Sequence, residues 1–197
     1  LTKNYSPHSP HTIIPDLIKP GSLVLDVGCN TGFLAKELLS KKTITDGIDI
    51  NEKALKKAAK YCRSVYKRDL YESVLGMGKK KYDYVVFADL LEHIPRPDLL
   101  LLDARKYLRP GGMIIASLPN IARLEIRLNL LLGRFDYTYG GILSEDHLRF
   151  FTRKSASEMF TSCGYTVIQV IPTGLAHQVK ILPNLLAFQF IYICSKK

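Results

Sequence analysis

No CxxC pair and no metal-type spacing joins the four cysteines, Cys29, Cys62, Cys163 and Cys194. That absence excludes a disulfide-stapled scaffold and a cysteine-based zinc site. It suits a reducing compartment, so the chain is expected to be cytoplasmic. Residues 1–15 are polar and hold Pro7, Pro10 and Pro15, without the charged-then-apolar order or the cleavage signature of a secretory peptide. His8 and His11 are expected in a frayed terminus there, rather than in a segment folded over a ligand. The chain begins with Leu instead of Met, as expected of a processed or excised piece of a longer protein. No apolar run is long enough for a membrane span: the most apolar stretch, 181–194, is short and interrupted by Pro183, Asn184 and Gln189, so it reads as core. Internal repeats and low-complexity tracts are also absent.

What is present is a chain of 197 residues with 47% apolar character, enough for one well-buried domain over 1–197 and short for two. Its 28 basic residues exceed 18 acidic ones, for a formal charge of +10. Clustered Lys and Arg neutralise phosphates, so their placement decides what the excess means. In 52–63, Leu55, Ala58, Ala59 and Cys62 fall at helical spacing, while Lys53, Lys56, Lys57, Lys60 and Arg63 fall largely elsewhere on the wheel. That pattern reads as a solvated helix face.

Short apolar runs at 23–27, 45–50, 84–88 and 113–118 alternate with segments long enough for crossover helices, the pattern of βαβ units. Tyr84, Val85, Val86 and Phe87 are apolar without alternation, as parallel strands covered on both faces require. An α/β fold with a mainly parallel sheet follows. Further strands are expected at 165–171 and 188–194, after a helix at 154–163 that Gly164 ends. Between Asn120 and Thr152 the rhythm breaks, with an amphipathic stretch at 122–132 followed by Gly133, Gly140 and Gly141. This segment, 121–151, is expected to be a lid inserted after the carboxyl end of a strand, where open α/β sheets bind ligands.

The first strand, 23–27, carries Asp26 and runs into the turn Gly28-Cys29-Asn30-Thr31-Gly32, with a helical pattern at 33–39 behind it. Glycine lets the backbone approach a ligand, and such a turn offers amide N–H groups to a carboxylate or other anion. The spacing Gly28-x-x-x-Gly32 meets neither GxGxxG, which argues against a nicotinamide-linked oxidoreductase, nor GxxxxGK[ST]. Asp49, in Gly47-Ile48-Asp49-Ile50, stands at the next strand end, where a carboxylate can accept both hydroxyls of a ribose. Arg68-Asp69-Leu70 offers a second carboxylate for an adenine amino group, with Ile50 and Leu70 as apolar walls. The other reading of Asp69 is a helix cap.

With this ordered set the chain resembles class I S-adenosylmethionine (SAM)-dependent methyltransferases over nearly its whole length. Their first loop is typically Asp-x-Gly-x-Gly-x-Gly, matched by Asp26, Gly28 and Gly32, with Asn30 replacing the middle glycine. Asn tolerates positive φ better than most residues, so the turn can persist. The resemblance implies a Rossmann-like doubly wound sheet of seven strands, the last antiparallel and placed at 188–194. It implies SAM as cofactor and S-adenosylhomocysteine (SAH) as product, held by Asp26, Gly28, Cys29, Asn30, Gly32, Asp49, Ile50, Asp69 and Leu70. It continues through 82–94 and through Leu108-Arg109-Pro110-Gly111-Gly112-Met113, which look like the fourth strand with its loop and the turn before the fifth. Ala88, Asp89 and Leu90 would then line the adenine and sulfonium side, and Ser117-Leu118-Pro119-Asn120 would face the acceptor. No Asn/Asp-Pro-Pro-aromatic loop follows strand four, which argues against amino-methylating DNA and RNA enzymes. Asp89-Leu90-Leu91-Glu92-His93 is instead similar to O-methyltransferases of the quinone-biosynthesis type.

A hydroxyl acceptor needs a base for its proton, and His is the natural one near neutral pH. His93 follows strand four, and His147, in Asp146-His147-Leu148-Arg149-Phe150-Phe151-Thr152, resembles the family's segment after the acceptor lid. Both are candidate catalytic residues, with His147 favoured; the other reading of each is a structural cap or carbonyl bond. Asp89, Glu92 and His93 would suit Mg or Mn, and some quinone O-methyltransferase relatives use such a cluster, but no metal is expected here. Tyr137 and Tyr139 could stack on an aromatic or sugar acceptor, and Arg123, Arg127, Arg134 and Arg149 suit an anionic one. The expected activity is methyl transfer to a small molecule, quinone, lipid or glycan, at oxygen. The alternative is a non-catalytic SAM-fold binding module, or an RNA-directed methyltransferase, using the basic surface.

Overall fold

The computed structural model describes residues 8–72, 74–179 and 181–197, so Pro7 and the start at Leu1 lie outside the described residues. The strands are β1 (Leu23–Val27), β2 (Ile44–Asp49), β3 (Ser64–Lys67), β4 (Tyr82–Ala88), β5 (Leu108–Pro119), β6 (Tyr165–Pro172) and β7 (Gln189–Lys196). They form one sheet in the order β3-β2-β1-β4-β5-β7-β6. Pairing is parallel from β3 through β5, and β7 alone runs antiparallel, between β5 and β6. The seven-stranded, mainly parallel sheet of the sequence reading is therefore present.

Alternate side chains of the central strands enter two cores, as the period of two requires. Leu25, Val27, Val85 and Phe87 pack with α4 (Pro97–Ala104) and α6 (Arg153–Ser162) on one face. Val24, Tyr84 and Val86 pack with α1 (Pro10–Leu17) and α2 (Phe33–Leu38) on the other. The expected frayed terminus is thus a helix: Ile14 and Ile18 are buried against the sheet, and Pro10 starts α1 where its missing N–H costs nothing.

Helix α3 (Glu52–Ala58) is capped by Asn51, whose side chain accepts from the Ala54 N–H. It buries Ala54, Leu55 and Ala58 and leaves Lys53, Lys56 and Lys57 in solvent, the arrangement expected of a solvated face. Arg63 departs from that face, reaching back through two bonds to the buried Asp46. The short edge strand β3 is only half-buried and presents no apolar run to single out. β5 begins at Leu108, earlier than expected, because Leu108 pairs with Tyr82 before a register shift.

The chain leaves the sheet at Asn120 and returns at Phe151, where the two residues form an isolated bridge and the Ile121 N–H donates to the Phe151 carbonyl. Between them lies α5 (Leu124–Leu131), which is not amphipathic as expected. Ile126 is buried on one side while Leu124, Leu128, Leu130 and Leu131 are exposed. Two short helices, α7 (Leu175–Val179) and α8 (Pro183–Leu186), connect β6 to β7. Among the described residues, no helix is long and apolar enough to cross a membrane.

Candidate functional site

The strand order reverses between β1 and β4, and at such a switch point a crevice opens beyond the carboxyl ends of the strands. The turn after β1 takes positive φ at Gly28, Asn30 and Gly32, so Asn30 adopts the conformation its glycine counterpart would. The N–H groups of Gly28 and Cys29 both donate to the Ile48 carbonyl, at 2.8 and 2.9 Å. Asn30 N–H donates to Asp49 Oδ2 at 2.8 Å, and Gly32 N–H to the Cys29 carbonyl at 2.8 Å. These four amides are occupied within the protein, whereas the sequence reading has the turn presenting its amides to an anion. The turn is a self-bonded ledge.

Contacts explain its small residues. A Cβ at Gly32 would lie 2.8 Å from Ala58 Cα, so this glycine lets α2 and α3 approach, a role with no local sequence signal. A Cβ at Gly28 would meet Leu90 Cδ1 at 3.0 Å. The Cys29 thiol points inward beneath Gly47, and burial pushes its ionisation well above the ordinary range. Asp26 is buried beneath the turn, where burial and the nearby Asp49 push its carboxyl up to about 7.

Asp49 accepts from Asn51 N–H through Oδ1 and from Asn30 N–H through Oδ2, both at 2.8 Å, which fixes the carboxylate plane. Ile50 is exposed beside it. Asp69 uses Oδ1 to accept from Tyr71 N–H at 2.9 Å and so caps the turn at 70–72, while Leu70 lies in the core instead of forming a free wall.

Beyond Ala88, Asp89 takes φ +52, a conformation that a non-glycine residue keeps only when its surroundings enforce it. Its N–H donates to Ser117 Oγ at 2.9 Å, and its Oδ1 accepts from Ser117 Oγ and from Gln189 Nε2. Oδ2 lies 3.9 Å from His11 Nε2. Ser117 is therefore buried under Asp89 instead of facing an acceptor. Asn120 likewise holds α8, donating to the carbonyls of Asn184 and Ala187, so that of its motif only Pro119 reaches the cavity.

That cavity, about 810 Å³, opens beside Asp89 between α1, the turn at 91–93 and the insert. His8 and His11, expected in a frayed end, line it, and the Gly174 N–H donates to the His8 carbonyl. His93 Nδ1 lies 3.1 Å from the Asp146 carbonyl, and His147 Nδ1 lies 3.0 Å from that of Ile142. A carbonyl only accepts, so each neutral ring carries its proton on Nδ1 and keeps an Nε2 lone pair. The two rings meet edge to face at 4.8 Å. Burial lowers the His147 pKa below the ordinary imidazole range.

Beneath them Glu92 is 1% exposed, and its Oε2 has no hydrogen-bond partner. Burial, then Asp89, pushes this carboxyl well above its ordinary value. One ligand atom from each of Glu92, His93 and His147 falls within 4.8 Å of the others. The cluster thus replaces Asp89 of the sequence-derived set with His147. A carboxylate plus two imidazoles with free Nε2 atoms has the donor types of a divalent-cation site. The Glu92 carbonyl accepts from both Leu148 and Arg149 N–H, binding the returning insert to this turn.

Tyr139 lines the cavity mouth, whereas Tyr137 packs on Phe135. Arg149 bonds the Pro95 carbonyl, and Arg123 pairs with Glu125 beneath Phe188, so these two arginines are engaged internally.

Residues 7–170 match the family described as the methyltransferase domain. The chain is 27% identical over 168 residues to a ubiquinone biosynthesis O-methyltransferase of Azoarcus sp. (strain BH72), covering 74% of this chain and 68% of that protein. It is 33% identical over 105 residues to the protein of the same name from Thiobacillus denitrificans, covering 51% of this chain and 45% of that one. The chain spans about half the length of several such relatives. Among solved structures, a SAM-dependent methyltransferase from Methanosarcina mazei is similar with TM-score 0.70 and 19% identity, over 93% of this chain and 96% of that one. Magnesium protoporphyrin IX methyltransferase from Synechocystis PCC 6803, with bound SAH, is similar with TM-score 0.66 and 19% identity, over 94% and 78%. At these identities the structural likeness speaks for the fold, and the family match speaks for descent: the chain belongs to the methyltransferase domain family, in its class I, SAM-dependent form.

Proposed function

We propose that this chain transfers the methyl group of SAM to a hydroxyl oxygen of a small acceptor held in the cavity beside Asp89. The observation that carries the reading is the pair of imidazoles, His147 and His93, with their Nε2 lone pairs free. When bound, the cofactor supplies an electrophilic methyl group on a sulfonium. Asp49, fixed by two amides, accepts the ribose hydroxyls, and Ile50 covers the base. Gly28, Asn30 and Gly32 shape the ledge, with Cys29 packed beneath it. Ala88, Asp89 and Leu90 flank the sulfonium side, and Asp26 faces the cationic end of the cofactor. Asp69 and Leu70 close the adenine end.

Methyl transfer is an in-line displacement that depends mainly on positioning. As the acceptor oxygen bonds the methyl carbon and the carbon–sulfur bond breaks, His147 Nε2 takes the hydroxyl proton. Its lowered pKa keeps the ring unprotonated near neutral pH, ready to act as base. The products are the methyl ether, SAH and one proton. Because relatives are named for ubiquinone biosynthesis, quinols head the acceptor panel, followed by phenols, sugars and carboxylates.

Calorimetric titration with SAM and SAH, followed by methyl-donor turnover across that panel, tests the proposal. Folded protein that bound neither compound would overturn it, and salt-dependent RNA binding without turnover would favour the non-catalytic module. Replacing His147 with Ala should lower kcat while leaving SAM affinity in place; an unchanged kcat would remove His147 as base.

A second reading is favoured by the orphaned Oε2 of Glu92: a divalent cation on Glu92, His93 and His147 that lowers the pKa of the acceptor hydroxyl. Titration of the protein with Mn²⁺ or Mg²⁺, with and without Glu92→Gln, reads this directly. Heat of binding that the substitution abolishes supports the cation, and its absence in the parent protein refutes it.

A further inference from the structure

Helix α5 is apolar on two sides at once. Ile126 seats it on the protein, while Leu124, Leu128 and Leu131 make an outward row at spacings of four and three residues. Leu131 is 82% exposed and Leu132 is 68% exposed. Every residue from 127 to 141 is exposed, so nothing in the chain covers this row. A helix that turns leucine to solvent marks a contact surface.

Its surroundings select the contact. Between 126 and 141 the chain holds Arg127 and Arg134 against one acid, Asp136, within a chain of formal charge +10. Tyr137 and Tyr139 continue the same exposed run, and Tyr139, 98% exposed, reaches the mouth of the cavity. Leu175, also exposed, lines that mouth as well. A second copy docked about a two-fold axis would set this patch against itself and bring the arginines toward their own counterparts. An anionic lipid surface satisfies every group: leucines enter the acyl boundary, arginines meet headgroup phosphates, and tyrosines sit at the interface.

We propose that the outward face of 124–139 docks on an anionic membrane surface and turns the cavity mouth toward it. An acceptor dissolved in the bilayer would then enter without crossing water. This goes beyond the methyl-transfer reading, and its test uses no turnover.

The test is flotation of the whole chain with vesicles of phosphatidylcholine alone or mixed with phosphatidylglycerol, at low and high salt. Binding to the mixed vesicles at low salt is expected, weakening with salt and with neutral lipid. Arg127→Gln with Arg134→Gln should weaken that binding about thirty-fold, at roughly a fivefold loss for each charge removed near the surface. Leu128→Glu with Leu131→Glu should abolish it, and because both side chains face solvent the thermal unfolding curve should not move. The proposal is overturned if the parent protein stays off anionic vesicles. It is equally overturned if the leucine variant binds them as well as the parent, or if light scattering shows a dimer that the leucine variant dissolves.

Discussion

The turn after β1 and the insert after β5 share the carboxyl end of one sheet but are built in opposite ways. In the turn, Gly28, Cys29, Asn30 and Gly32 have their amides bonded internally, and the glycines are pinned by Leu90 and Ala58. In the insert, leucines and tyrosines stand in solvent, and Gly140 has nothing near it. Chemistry that depends on positioning wants a donor site set to fractions of an ångström, whereas choice of acceptor is left to loops that can vary. The contrast separates a pre-formed half of the site from an adaptable one.

The largest test of that contrast is a pair of glycine substitutions. Gly32→Val combines a backbone clash with a β-branched residue at φ +79 and should destabilise by about 5 kcal/mol, leaving little folded protein, whereas Gly140→Ala should move the urea midpoint by less than about 0.5 kcal/mol. Equal effects would erase the distinction.

Next in size is a pH effect confined to the donor half. Asp26 rises from its ordinary 3.8 to about 7 in the fold, so the native state binds the extra proton between those values. Its contribution is fully present below about pH 4 and is lost as pH rises toward 7, by at most about 4 kcal/mol. Urea unfolding across this range should show the decline, and Asp26→Asn should flatten it. A cationic cofactor group beside Asp26 ionises it and releases a proton, so SAM affinity should climb with pH over the same interval in the parent and not in the variant.

Smaller again, Asp49→Ala should weaken SAM binding by about 100-fold in calorimetry, as expected when hydrogen bonds to a charged group are lost. The smallest expected effect lies in the insert: Tyr139→Ala should leave stability within about 0.5 kcal/mol and change only KM for the acceptor. A fall in stability comparable to that of Gly32→Val would show that the insert is packed as tightly as the turn.

The donor half is legible in the sequence because its signals are local. Strand β1, its glycines and Asp49 lie within one strand-turn-helix-strand stretch, and the apolar run at Tyr84 to Phe87 announces a strand buried on both faces. What the sequence hides depends on distant partners. Gly32 looks like a ligand glycine until Ala58 is seen against it, and α1 looks like a polar end because Ile14 and Ile18 are explained only by the sheet they cover. Asp69 could cap or bind, and only the geometry shows it capping Tyr71. Glu92, His93 and His147 are brought together by two carbonyl bonds from the returning insert, across more than fifty residues of sequence that no periodicity connects. For α5 the pattern of apolar residues was visible, but not that one of its sides would find no partner.

One feature of the insert reaches beyond this protein. Its two ends meet at Asn120 and Phe151, joined like the neck of a purse, so everything from 121 to 150 hangs from a single doorway in the sheet. Closing a longer or shorter loop at such a doorway changes its entropy by only about 0.6 kcal/mol per doubling of length. A lineage can therefore exchange the whole cassette, and with it the acceptor it greets, while inheriting the donor machinery unaltered. The neck is a seam along which new substrates can be tried.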